Sequence, residues 1–253
     1  MKKWVIIGVT VAAVILLIGV VAYVLLSRTW SPPEVVRSME PVPGVTNACN
    51  ASWSPDGSAI LYATSLREGR VRKVYKVDAD GGNQVCLGEG SLPVWSPDGS
   101  RIAFVTGNGL EVMNPAGAER VLLVDLAEMA PLATERQLNA TAWSPDGGMI
   151  AFEVTSFVPD PSLPGKNADT SVDGIWLVNA DGSALRQLAK GAGEHSCLVW
   201  SPDSRRIAFV SYGNDGKWDV WVSWVDGSDL RQLTASDELE FDMAWSPDGR
   251  LLA

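Results

Sequence analysis

Five nearly identical pentapeptides recur along this 253-residue chain. They are Trp53-Ser54-Pro55-Asp56-Gly57, Trp95 to Gly99 with Pro97 and Asp98, Trp143 to Gly147 with Pro145 and Asp146, Trp200-Ser201-Pro202-Asp203-Ser204, and Trp245 to Gly249 with Pro247 and Asp248. Successive tryptophans lie 42, 48, 57 and 45 residues apart. That is the period of a small unit that cannot bury its own apolar face and must stack on its neighbours. In each copy proline presets φ at the first corner, aspartate tolerates the second, and glycine takes the left-handed position, so the motif joins two strands by a tight turn. The fourth copy puts Ser204 at the left-handed corner, at a cost of about 1 kcal/mol.

Counted from the end of each turn, Ile60, Ile102, Ile150, Ile207 and Leu252 come three positions on, and Tyr62, Phe104, Phe152 and Phe209 five positions on. With Leu61, Ala103, Ala151 and Ala208 between them, both faces are apolar, as in a strand buried on both sides. A third strand aligns on Gly81, Gly117, Gly182 and Gly227, with Val74, Leu110, Ile175 and Val220 preceding them. Leu87, Leu123, Leu188 and Leu233 follow and mark an outer fourth strand. The repeating unit is a four-stranded antiparallel blade, and the predicted fold is an all-β propeller.

Trp-Ser-Pro-Asp-Gly, then Ile-Ala-Phe, then Asp-Gly and Leu-Arg-Gln-Leu together resemble the TolB-like, WD-repeat-like propeller family. The resemblance covers residues 46–253 and places blades near 46–88, 91–124, 138–189 and 195–234, with a fifth starting at 240–253. Four blades are complete and the fifth is not, so the expectation is an N-terminal fragment of a longer protein.

From Trp4 to Leu26 run 23 residues without a charge, long enough as a helix to cross a hydrocarbon core of about 30 Å. Lys2 and Lys3 in the 1–3 tip put the N-terminus in the cytoplasm by the positive-inside bias. Residues 4–26 thus read as an uncleaved signal anchor, and the propeller as periplasmic or extracellular. Residues 27–45, with Pro32, Pro33, Pro41 and Pro43, form an extended stalk. The net charge is −10, and residues 1–28 carry three basic and no acidic side chains, leaving −13 for the remainder. A domain that acidic repels nucleic acid.

No Gly-x-Ser-x-Gly elbow, His-Glu-x-x-His, phosphate loop or Cys-x-x-Cys pair occurs in the sequence. No catalytic residue, metal or cofactor is therefore expected. Cys49, Cys86 and Cys197 read as small buried or half-buried thiols. The sequons at Asn50 and Asn139 fall on innermost strands, where they are expected to be inaccessible. The repeated tryptophans read as packing between blades.

Function is expected on the face that carries the length variation, since long irregular loops on a rigid scaffold are where binding residues tend to lie. The candidates on that rim are Asp160, Lys166, Asn167, Asp169 and Asp173, then Glu194 and His195, Asp215, and Asp237 with Glu238. Two readings survive. One is a membrane-tethered scaffold that binds a protein, peptide or glycan. The other, from the anchor, stalk and propeller order, resembles the dipeptidyl-peptidase and prolyl-oligopeptidase family, in which the propeller gates a hydrolase domain beyond Ala253.

Overall fold

The computed structural model describes residues 48–64, 71–130, 133, 135–157, 173–190, 197–212, 217–235 and 243–253. The chain divides into two units, Met1–Pro41 and Val42–Ala253, and every described residue belongs to the second. The expected membrane helix (4–26) and the whole of the expected stalk (27–45) lie outside the described residues. Among the described residues no helix is long and apolar enough to cross a membrane.

Four antiparallel sheets of four strands follow one another, each with its strands in chain order. Blade 1 holds β1 (Ala48–Trp53), β2 (Ala59–Thr64), β3 (Lys73–Asp78) and β4 (Val85–Glu89). Blade 2 holds β5 (Ser91–Trp95), β6 (Ile102–Val105), β7 (Gly109–Met113) and β8 (Val121–Asp125). A single helical turn, α1 (Leu126–Met129), is capped by Asp125 and leads on to blade 3. That blade holds β9 (Glu135–Trp143), β10 (Met149–Phe157), β11 (Gly174–Asn179) and β12 (Arg186–Lys190). Blade 4 holds β13 (Leu198–Trp200), β14 (Arg206–Tyr212), β15 (Trp218–Trp224) and β16 (Arg231–Gln232). The fifth motif forms its turn, with a bridge between Trp245 and Leu252. The first strands β1, β5, β9 and β13 are successive neighbours, as in a propeller.

The core lies between the blades because each second strand is apolar on both faces. Leu61, Val74 and Leu87 of blade 1 meet Ile102, Phe104 and Met113 of blade 2. Ala103, Val105 and Val112 of blade 2 meet Trp143, Ile150 and Phe152 of blade 3. Ile175, Leu177 and Leu188 of blade 3 meet Trp200, Ile207 and Phe209 of blade 4. Phe104, Phe152 and Phe209 are buried, each stabilising the stack by about 2–3 kcal/mol.

Several residues depart from the expectation. Leu233 lies beyond β16 and is exposed, whereas Leu188 at the same place is buried under the next blade's Trp200. Trp53 is 59% exposed, against 8% for Trp143 and Trp200. Its letters are those of its counterparts, but among the described residues no preceding blade lies against it. Cys86 is exposed on β4, contrary to the expected burial, while Cys49 and Cys197 are half-buried, and no disulfide joins the three. Asn50 is exposed rather than inaccessible, because a bulge between Cys49 and Ser52 turns it out of the ladder.

The turns behave as the sequence requires. Gly57, Gly99, Gly147 and Gly249 have φ near +70° and Ser204 has φ +59°. The turns also touch each other, since the Cα–H side of Gly99 faces Pro55, that of Gly147 faces Pro97, and that of Gly249 faces Pro202. Ser204 compensates for its strain with a contact the glycines cannot make: its hydroxyl accepts from the Asp146 backbone N–H of the preceding blade at 3.0 Å. Ser204→Ala keeps the strain and loses this bond, and should cost about 1–2 kcal/mol. Ser204→Gly loses both together and should change stability by less than about 0.5 kcal/mol. Equal destabilisation of the two variants in chemical denaturation would refute the compensation.

Candidate functional site

Two faces of the propeller are built differently, and the difference begins at the motif serine. Ser54 Oγ donates to Asp56 Oδ1 at 2.6 Å and accepts from the Ala59 N–H at 2.9 Å. The same carboxylate oxygen accepts from the Ser58 N–H at 3.0 Å. Ser96 with Asp98, Ser144 with Asp146, Ser201 with Asp203 and Ser246 with Asp248 repeat the serine-to-aspartate bond. These bonds rigidify the turn face and leave its aspartates engaged by their own loops.

The carboxylates record this in their acidity. Asp56 and Asp98 fall from 3.8 to about 2, chiefly because the serine hydroxyls of Ser54 and Ser96 donate to them. Asp146, Asp203 and Asp248 are lowered too, again first by their motif serines. A carboxylate whose folded value lies below its unfolded one stabilises the fold above the unfolded value, and that contribution is lost as pH falls through the folded value. The melting temperature is therefore expected to drop between about pH 4 and pH 2. Salt of about 0.15 M keeps surface repulsion among the excess acids screened. Replacing Ser54 and Ser96 by alanine should flatten the drop, and an unchanged slope would remove this explanation.

The inner strands and the residues beside them line an open channel cavity of about 360 Å³. Asn50, Leu92, Thr141, Cys197 and Met243 line it, one from each of the five repeats. Its described walls are amide, hydroxyl, thiol and apolar groups. Asn50 and Leu92 have φ of +53° and +50°, at bulges in β1 and β5. A leucine in that region costs on the order of 1–2 kcal/mol. The strained segment is held across the blade boundary, where Thr141 Oγ1 donates to the Leu92 carbonyl at 3.0 Å. Among the described residues the channel thus presents hydrogen-bonding groups held in place by the strands.

Of the rim residues singled out in sequence, Asp160, Lys166, Asn167, Asp169, Glu194, His195, Asp215, Asp237 and Glu238 lie outside the described residues. Asp173 is described, and its Oδ1 accepts from both the N–H and the hydroxyl of Ser156 at 2.8 and 2.7 Å. Its carbonyl also accepts from Gln187 Nε2 at 3.0 Å. Asp173 thereby fastens the ends of β10 and β11 at the foot of the long loop. Among the described residues no group of three His, Cys, Asp or Glu is placed to hold a metal ion.

Sequence reading missed the arginines that seal the blades. Arg101 donates to the Ala180 carbonyl at 2.7 Å and lies 5.3 Å from the centroid of Trp143. Arg206 donates to the Gly249 carbonyl at 2.7 Å and lies 4.8 Å from the centroid of Trp245. Both directly precede the apolar run of the second strand, and in the other repeats Ala59, Met149 and Leu251 stand there. That variation hid the role.

No protein-family profile matches the chain. Over 138 residues it is 34% identical to the Tol-Pal system protein TolB of Anaeromyxobacter dehalogenans strain 2CP-C, covering 51% of this chain and 27% of that protein. The TolB of Anaeromyxobacter sp. strain K is 33% identical over the same length and covers the same shares. The match thus spans about a quarter of these curated relatives. Among solved structures, a putative TolB from Agrobacterium tumefaciens superposes with a TM-score of 0.55 at 22% identity, covering 79% of this chain and 66% of that one. An acylaminoacyl peptidase from Pyrococcus horikoshii gives 0.54 at 13% identity, covering 77% and 33%. At those identities the structural likeness is one of fold.

Proposed function

We propose, from the premise that this chain is a TolB-like β-propeller, that it is a membrane-tethered scaffold holding a protein, peptide or glycan outside the cytoplasm. The observation that carries this reading is the division of labour between the faces. One face consists of repeated turns whose polar groups bond to each other, and the opposite face carries the links of unequal length. The relatives are proteins of the Tol-Pal system by name, which favours a protein partner over a glycan. Tethering rests on the uncharged run from Trp4 to Leu26, with the N-terminus in the cytoplasm and the propeller in the periplasm or extracellular space. The excess of acidic residues opposes nucleic-acid binding.

The full chain should remain in the membrane fraction after alkaline carbonate washing, with its propeller open to protease added from outside. Replacing residues 158–172 with a glycine-serine linker should reduce cross-linking to its partner at least about fivefold, without shifting the melting temperature by more than about 2 °C. A chain released by carbonate would end the tethering. Undiminished cross-linking would move the binding surface off this loop.

The peptidase-like fold neighbour supports a second reading, in which the propeller gates a serine hydrolase. Covalent labelling of the natural full-length protein by a fluorophosphonate would favour it, and a Gly-x-Ser-x-Gly serine at the labelled position would establish it.

A further inference from the structure

A larger cavity, of about 630 Å³, opens where the links around blade 2 meet. It exists because β6 and β7 are joined by only Thr106, Gly107 and Asn108, closed by a Thr106 N–H to Gly109 carbonyl bond at 2.9 Å. Its size is that of a pocket for a small ligand or a short peptide segment. Val105, Leu126 and Leu138, all buried, supply apolar wall.

The charges in this cavity do not cancel in pairs. Glu111 is engaged on both sides, accepting from Thr106 Oγ1 at 2.8 Å and lying 3.9 Å from the Arg120 guanidinium. Arg120 is held further by the Leu87 carbonyl at 2.8 Å and by the face of Phe104. Arg136 is oriented by its Nε, which donates to the Ala130 carbonyl at 2.7 Å. Arg72 is different. Its Nε is shielded from water and has no acceptor among the described residues. Arg206 Nε is shielded in the same way, and what sets Arg72 apart is that it also lines this cavity. Glu89 is the remaining acid in the lining, and it is exposed.

We propose that this cavity is a carboxylate subsite for an acidic peptide segment, with Arg72 as the principal binding residue. The proposal rests on the scaffold reading above and names the chemistry of one part of the ligand. A guanidinium offers two parallel N–H donors that match the two oxygens of a carboxylate. The apolar wall accommodates the aliphatic stem of a glutamate or the side chain beside it. Glu89 in the lining opposes a dianionic phosphate more than a singly charged carboxylate.

The test uses the full chain in detergent micelles, titrated with N-acetylglutamate N-methylamide while the arginine Nε–Hε resonances are followed by NMR. The Arg72 signal should move saturably, and the glutamine analogue should leave it in place. Arg72→Gln should weaken binding at least about tenfold, as loss of one charged hydrogen-bonding partner implies. Arg72→Lys should also weaken it, since a lysine keeps the charge and loses the fork. Arg231→Gln, in an exposed pair with Asp229, should leave binding unchanged. An unmoved Arg72 signal, an equal response to glutamine, an equal loss in Arg231→Gln, or tighter binding of inorganic phosphate would each overturn the assignment. The wild-type titration needs no variant to fold. Partner cross-linking that persists without glutamate binding would sink only the subsite, whereas glutamate binding without any partner would sink only the scaffold reading.

Discussion

Gly109→Ala is expected to destabilise the propeller by about 3–5 kcal/mol, lowering its melting temperature by about 10 °C. Gly109 opens β7 with φ +150°, and a Cβ there would lie 1.9 Å from the Val124 carbonyl oxygen. That oxygen belongs to the neighbouring strand β8, so relief requires separating the two strands just where Leu110 pairs with Val124. The Leu126 N–H bond to the Asn108 carbonyl, 2.9 Å long, fixes the same corner from the other side. Blade 3 repeats the device at Gly174, where a Cβ would meet the Ala189 carbonyl at 2.1 Å. Gly107, with open space around the corresponding position, provides the comparison: Gly107→Ala should cost under about 1 kcal/mol. Thermal melts of the three proteins test this, and a Gly109→Ala protein within about 1 kcal/mol of the parent would show that β8 yields.

The second large effect separates two tryptophans with the same motif. Trp143→Ala should cost about 3–5 kcal/mol, and Trp53→Ala under about 1 kcal/mol. Trp143 is 8% exposed and packs among residues of blades 2 and 3. Its removal opens a cavity between those blades and strips the aromatic face from Arg101, which lies 5.3 Å from its centroid. Trp53 is 59% exposed, so little apolar surface leaves contact when it is truncated. Urea denaturation of both variants measures the difference. Similar losses would mean that Trp53 is covered in solution.

The strands were legible because the motif supplies a reference point in every repeat and the strand period of two needs only counting from it. Leu61, Ala103, Ala151 and Ala208 lie at the same strand position, and each is fully buried. What a letter cannot carry is the identity of its neighbour across a blade boundary. Trp53 and Trp143, or Leu188 and Leu233, share a motif and differ in what lies beside them. The bulge that exposes Asn50 is likewise a property of the pairing between β1 and β2. Asp173 drew attention by belonging to a long link, yet its carboxylate bonds to Ser156 and shapes the end of the sheet. Arg72 gave the opposite lesson. It sits in a non-repeating link, where counting from the motif says nothing, and only its place in the cavity lining singles it out.

The corner occupied by Ser204 has an implication for how such a chain diverges over time. Glycine avoids backbone strain there, and serine offsets the strain with its bond to the Asp146 N–H. Two chemically distinct solutions of nearly equal free energy leave selection little to act on at this corner, so either letter can stand there while the geometry stays the same.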